Sequence, residues 1–279
     1  MERWIGDLLV DASPPEKPKF KSVLVLLHGL WSDSSCWQPW ATHFANLGWD
    51  CWAVNLRGRF EPRALDVLRQ LTFGQCVEDL RRVIRAAPSP PVLLGHSFGG
   101  LIAQKAAEEG GLSALILLSS VPPGDIRADA TRTLRLLRLK YLPLLWFGRP
   151  FRLEEKDFGR SWLASVPAHL RAEIHRRVVP ESGRLARAFF RRSVRIESRR
   201  IACPVLIIGG NADQVVDVGA QRAWAQRLGA DFQAYPQHGH AIMQEEGSER
   251  VVRDIHRWLV QKLGETILLA DPSRSGSSP

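Results

Sequence analysis

The chain has 279 residues, of which 45% are hydrophobic and 24% charged, an ordinary composition for a globular protein built as one large domain or two small ones. No apolar run is long enough to span a bilayer, and Met1-Glu2-Arg3-Trp4-Ile5-Gly6-Asp7 carries charge where a secretory signal needs an apolar stretch, so a cytoplasmic chain without a transmembrane segment is expected. The net charge is +9, yet residues 122–200 alone hold 19 basic and 8 acidic side chains, a net of +11, so the basic excess is confined to that one segment.

In chain order, residues 23–27 are a continuous apolar run that reads as a strand covered on both faces. A helix is predicted over 37–47 and a strand over 50–55. A loop over 56–74 carries a short helix at 64–70. An amphipathic helix over 75–86 places Val77, Leu80, Val83 and Ile84 on one face. Residues 91–94 and 114–118 read as strands with a helix between them that ends at Gly110-Gly111. After residue 200 come a strand at 204–208, a helix at 219–228, a strand at 231–235 and a helix at 248–263 with Ser248 as its N-cap. This alternation implies an α/β fold, a mostly parallel central sheet with helices on both faces. Residues 122–200 break the pattern. Pro122-Pro123-Gly124 opens the segment, helical patterns occupy 131–142, 155–165, 168–178 and 184–193, and no strand is evident. The expected organisation is a core over 1–121, a helical cap inserted over 122–200, the rest of the core over 201–265 and a disordered tail over 266–279. Cys36, Cys51, Cys76 and Cys203 form no Cys-x-x-Cys pair and read as buried free thiols in a reducing compartment.

Gly95-His96-Ser97-Phe98-Gly99 lies between a predicted strand and a predicted helix. A Gly-x-Ser-x-Gly arises by coincidence as well as by function, and its context decides. Here an apolar strand precedes it and good helix formers follow, which is the setting of a nucleophile elbow with Ser97 as the nucleophile. Such a serine needs a base, and the base an orienting carboxylate. Asp213 follows the strand at 204–208, at the sheet edge where ligands bind in open α/β sheets. It also reads as a turn residue, and Asp217 beside it reads as a helix N-cap. His238 and His240 follow the last strand. Two histidines at that spacing suggest a metal, but no third ligand cluster lies near, so no metal and no cofactor are expected. The order Ser97, Asp213, His240 is that of a hydrolase triad. An oxyanion hole is expected from the N–H of Phe98 at the start of the helix and from that of Leu30, after the tight turn at Gly29. His28 reads as structural.

These motifs together resemble the α/β-hydrolase fold superfamily: His28-Gly29, Gly95-His96-Ser97-Phe98-Gly99-Gly100, Gly209-Gly210-Asn211-Ala212-Asp213 and His238-Gly239-His240. The likeness covers about residues 20 to 263. It implies a serine esterase or lipase with a cap, and it favours His240 over His238 as base. Asn55-Leu56-Arg57-Gly58 is similar to the family's Asp-x-Arg-Gly, but Arg59-Phe60-Glu61-Pro62 stands where small residues and serine usually follow. The expected function is acyl transfer to water from a small-molecule ester, thioester or lactone, with lyase, acyltransferase or non-catalytic binding roles as alternatives. Trp31, Trp37 and Trp146 are candidates for the substrate pocket. The same aromatics, with Leu136, Leu139, Leu142, Leu145 and Phe147, would equally pack the cap onto the sheet. The arginines of 122–200 suit an anionic substrate, an acidic partner or peripheral contact with a membrane, whereas no nucleic-acid motif accompanies them. The oligomeric state is open.

Overall fold

The continuous apolar runs become strands whose alternate side chains feed two separate cores. The computed structural model describes residues 1–61, 63–128 and 131–269. Its eight strands are β1 (Glu2–Ile5), β2 (Leu8–Ser13), β3 (Leu24–Leu27), β4 (Cys51–Val54), β5 (Val92–His96), β6 (Ala114–Leu118), β7 (Val205–Gly210) and β8 (Asp231–Tyr235). They form one sheet in the order β1-β2-β4-β3-β5-β6-β7-β8. The six strands from β3 onward run parallel, while β2 is antiparallel to both β1 and β4. The outlying hairpin β1–β2 escapes the sequence reading because β1 is exposed and β2 is buried only at every second residue. Gly6-Asp7 between them, with Gly6 at φ 60°, is the local signal for it.

The helices in chain order are α1 (Gln38–Asn46), α2 (Ala64–Gln70), α3 (Phe73–Ala86), α4 (Ser97–Ala107), α5 (Arg132–Lys140), α6 (Leu142–Phe147), α7 (Glu155–Arg160), α8 (Ala168–Arg176), α9 (Gly183–Arg191), α10 (Val218–Leu228) and α11 (Ser248–Leu263). On one face of the sheet Leu24, Leu26, Leu94 and Ile116 pack with Trp40 and Phe44 of α1 and with Ile255 and Leu259 of α11. On the other face Val25, Leu27, Leu93 and Leu117 pack under α3, α4, α10 and the helices α5–α9. Complete burial of one such leucine is worth roughly 2 kcal/mol.

Local chemistry sets the differences from expectation. Helix α3 starts at Phe73, before the predicted 75, because Thr72 and Gln75 form a capping box. The single helix predicted over 131–142 divides at Tyr141, since Pro143 in the first turn of α6 cannot donate back to α5. Ser248 is the first residue of α11 rather than its cap, which is Gly247 at φ 80°. All five helices α5–α9 lie between β6 and β7. Inside that stretch an isolated bridge joins Phe151 and Glu181. The start of the expected tail is ordered: Gly264–Ile267 make a 3-10 turn, Ile267 is buried, and Leu268 bridges Phe20. Residues 270–279 of that tail lie outside the described residues. Among the described residues no helix is long and apolar enough to cross a membrane.

Candidate active site

The turn from β5 into α4 holds Ser97 at φ 55°, in the left-handed region that costs a non-glycine residue roughly 1–2 kcal/mol. Its neighbours must be small. A Cβ on Gly99 would lie 2.1 Å from the His28 carbonyl oxygen, and one on Gly100 would lie 2.2 Å from Ser120 Oγ. The peptide is further held by Val121, whose N–H donates to the Ser97 carbonyl at 3.0 Å.

His240 arrives on the loop after β8 and its Nε2 lies 2.8 Å from Ser97 Oγ. Its Nδ1 lies 2.9 Å from Asp213 Oδ2, and both side chains of that pair are fully buried. A carboxylate can only accept, so Nδ1 carries the proton and Nε2 is free to accept from the serine hydroxyl. Asp213 is fixed in turn, because its Oδ1 accepts the N–H groups of Val215 at 2.7 Å and Val216 at 2.9 Å. Asp217 instead caps α10 by accepting from Ala220 N at 2.7 Å. His238 bonds Glu245 Oε2 at 3.0 Å rather than Ser97, and the same oxygen accepts from Gly239 N at 2.8 Å. Glu245 is thus the anchor of the histidine loop, a role that nothing local in the sequence marks.

Two further histidines support the site. His28 Nε2 accepts from Leu56 N at 3.3 Å and its Nδ1 donates to the Gly29 carbonyl at 2.8 Å. His96 Nε2 donates to the His240 carbonyl at 2.8 Å, with the two rings 4.9 Å apart. Burial, aided by Arg59, pulls the His28 pKa down to about 3, and burial, aided by His240, does the same to His96. Both are therefore neutral in the fold but take up a proton when it unfolds below their ordinary value of 6.5. Stability should be full above that value and fall as pH drops from there toward 3, by about 1.4 kcal/mol per pH unit for each histidine. Urea unfolding at a series of pH values tests this. A midpoint that does not move between pH 7.5 and 5 would contradict it.

Leu30 follows Gly29 in the loop after β3, and Phe98 follows Ser97 in the chain. A Cβ on Gly29 would lie 2.9 Å from Ser97 Cβ, so the loop after β3 passes directly against Ser97. Phe98 sits in the first turn of α4, where amide N–H groups lack intrahelical acceptors. Ser97 and His240 are almost fully covered, at 2% and 1% exposure. The cover is aromatic and comes from the inserted segment, Trp162 from the turn after α7 and Phe189 from α9. Trp162 stands edge-on to His240 with ring centres 6.1 Å apart, and Phe189 lies 6.4 Å from Phe98 and 6.1 Å from Trp162. No sequence signal singled out either residue.

The three predicted pocket tryptophans are placed elsewhere. Trp37 is buried in the opposite core against Trp40, because the 3-10 turn leading into α1 turns it toward the α1–α11 face. Trp146 is 63% exposed on the outside of α6. Trp31 is fully buried behind Trp162, at 5.1 Å between ring centres. Leu136, Leu139, Leu142 and Phe147 likewise face outward, while Leu145 packs inward. A cavity lies beside residues that hold the Ser97–His240–Asp213 series, Val121 being bonded to Ser97 and Val215 and Val216 to Asp213, but the side chains of Ser97, His240 and Asp213 do not line it. Val121, Phe189, Val215 and Val216 line it, with Arg135 and Arg138 also on its walls.

The alpha/beta hydrolase family profile matches residues 24–254. The chain is 25% identical over 256 residues to a monoacylglycerol lipase of Mycolicibacterium smegmatis, covering 87% of this chain and 89% of that one. Among solved structures it is similar to an esterase from Exiguobacterium antarcticum, with TM-score 0.71 and 19% identity over 90% of this chain and 95% of that one. It is also similar to the monoacylglycerol lipase of Paleococcus ferrophilus, with TM-score 0.64 and 19% identity over 92% of this chain and 100% of that one.

Proposed function

The chain belongs to the alpha/beta hydrolase family, and on that premise we propose that it is a serine hydrolase that cleaves a carboxylic ester of a small apolar molecule through an acyl-enzyme. The observation that carries the reading is the hydrogen-bonded series from Ser97 through His240 to Asp213. Ser97 Oγ attacks the acyl carbonyl as His240 Nε2 takes its proton, and Asp213 stabilises the imidazolium. The N–H groups of Leu30 and Phe98 receive the oxyanion. His240 returns the proton to the leaving alcohol. Water, activated by the same histidine, then releases the acid and restores Ser97. An ester, rather than a thioester or lactone, accords with relatives named as monoacylglycerol lipase and esterase. The apolar part of the nearby cavity, Val121, Phe189, Val215 and Val216, suits an acyl chain, with Arg135, Arg138 and Arg192 also on its walls.

The inserted helices 122–200 serve as a cap that meets an anionic membrane from its periphery. Leu136, Leu139, Trp146 and Phe147 are 57–73% exposed; Arg135 and Arg138 adjoin the two leucines in sequence, and Arg191 lies 6.0 Å over the Trp146 ring. A cytoplasmic setting accords with the four free cysteines, three of them buried with their thiol pKa values pushed up by burial. The test is hydrolysis of p-nitrophenyl butyrate and octanoate, with co-sedimentation on phosphatidylglycerol vesicles at low and high salt. Turnover of at least one ester is expected, with vesicle binding at low salt that high salt weakens. No turnover of either would sink the hydrolase reading, and no binding at low salt would end the membrane reading.

A further inference from the structure

Arg59 stands where the family's sequence pattern has small residues, and its side chain is 1% exposed against a Glu181 side chain that is fully buried. Glu181 lies in the segment joining α8 to α9. Its Oε2 accepts both the Arg59 guanidinium and the N–H of Trp31, the latter at 3.2 Å, while Oε1 accepts from Ser182 N at 2.7 Å. Arg59 Nε also donates to the Ser32 carbonyl at 3.3 Å. Trp31 is held at φ 58°. Its carbonyl accepts from Val179 N at 3.2 Å and its indole N–H donates to the Phe151 carbonyl at 3.2 Å. The N–H, the carbonyl and the indole N–H of Trp31 therefore all bond to the inserted segment.

We propose that Glu181 and Arg59 are positioning residues that fix the oxyanion-binding Leu30 N–H from outside, by clamping the peptide groups of Trp31 and Ser32 that follow it. The proposal rests on the serine-hydrolase reading above. A buried ion pair contributes little net stability, because desolvation offsets the attraction. What this pair supplies is geometry: it holds the strained Trp31 directly after Leu30, two residues from Gly29, which passes against Ser97. The cap thereby sets the oxyanion site as well as covering the pocket.

Glu181→Gln separates this role from packing. An amide of the same shape has one acceptor oxygen, so either Trp31 N–H or Ser182 N–H must face an NH2 group. The expected result with p-nitrophenyl butyrate is a kcat lowered by about 10- to 100-fold with KM within about twofold, less than the loss of an oxyanion donor outright. Inhibition by an ester-like trifluoromethyl ketone, which places an oxyanion in the site, should weaken by the same factor. Arg59→Lys keeps the charge but loses the bond to Ser32, and should show a smaller loss with the same split. It carries the test alone if Glu181→Gln does not fold, as judged by circular dichroism. A folded variant with unchanged kcat, or with raised KM and unchanged kcat, would overturn the proposal. An inactive wild-type protein would instead overturn the reading it rests on.

Discussion

Ser97→Ala is expected to lower kcat on p-nitrophenyl esters by about five to six orders of magnitude, to the level left by binding and oxyanion contacts alone. The size follows from the geometry. Among the described residues Ser97 Oγ is the one side-chain oxygen at hydrogen-bond distance from His240 Nε2, at 2.8 Å, so no other described hydroxyl substitutes for it. Alanine occupies the same left-handed backbone position with the same strain and leaves one buried ring nitrogen without its partner, which costs about 1 kcal/mol. The variant should therefore fold, with a melting temperature within a few degrees of the wild type. A fluorophosphonate probe should add to the wild-type chain at Ser97, seen as an intact-mass shift, and leave Ser97→Ala unmodified. A variant retaining more than one per cent of wild-type kcat would remove Ser97 from the mechanism. Wild-type protein that stays unlabelled would favour a binding role for the same pocket.

His240→Ala should be nearly as damaging, and His238→Ala should lower kcat by less than about tenfold. The two histidines are separated by one residue but have different partners. His240 bridges Ser97 and Asp213, whereas His238 is bonded to Glu245. Removing the His240 ring leaves Asp213 buried with only its two backbone donors, so a loss of stability of a few kcal/mol accompanies the loss of activity. Removing the His238 ring leaves Glu245 still accepting from Gly239, so the loop keeps its anchor. Kinetics and urea unfolding of both variants check this. Inactivation by His238→Ala with His240→Ala still active would reassign the base.

The residues of the proposed triad are legible in the sequence because each stands beside a strand end in a short, local pattern. Ser97 needs glycines that the backbone approach makes obligatory, Asp213 follows an apolar run and His240 follows the last strand. Asp213 is separable from Asp217 once the helix that Asp217 caps is recognised. The parts that were not legible are those supplied from far along the chain. Glu181 meets Trp31 across 150 residues, Trp162 meets His240 from the turn after α7 and Phe189 meets Phe98 from α9, and the order of these pieces in the chain does not fix where they dock. Trp37 shows the limit from the other side. Its apolar character says that it is buried but not against which face of the sheet, and the short turn before α1 decides that. The hairpin β1–β2 was missed for lack of a fully buried run.

Ser97 and His240 are 143 residues apart in sequence, and the whole of α5–α9 is threaded between β6 and β7. Contacts of such long separation form late, since the entropy of closing a long loop must be overcome first. A nascent chain that has left the ribosome through β6 already has Ser97, but not yet Asp213, His240 or the segment that covers them in the fold. Hydrolytic competence is thus a property of the finished fold. On the proposed reading, a chain halted before β7 carries the serine without its base or the segment that covers it.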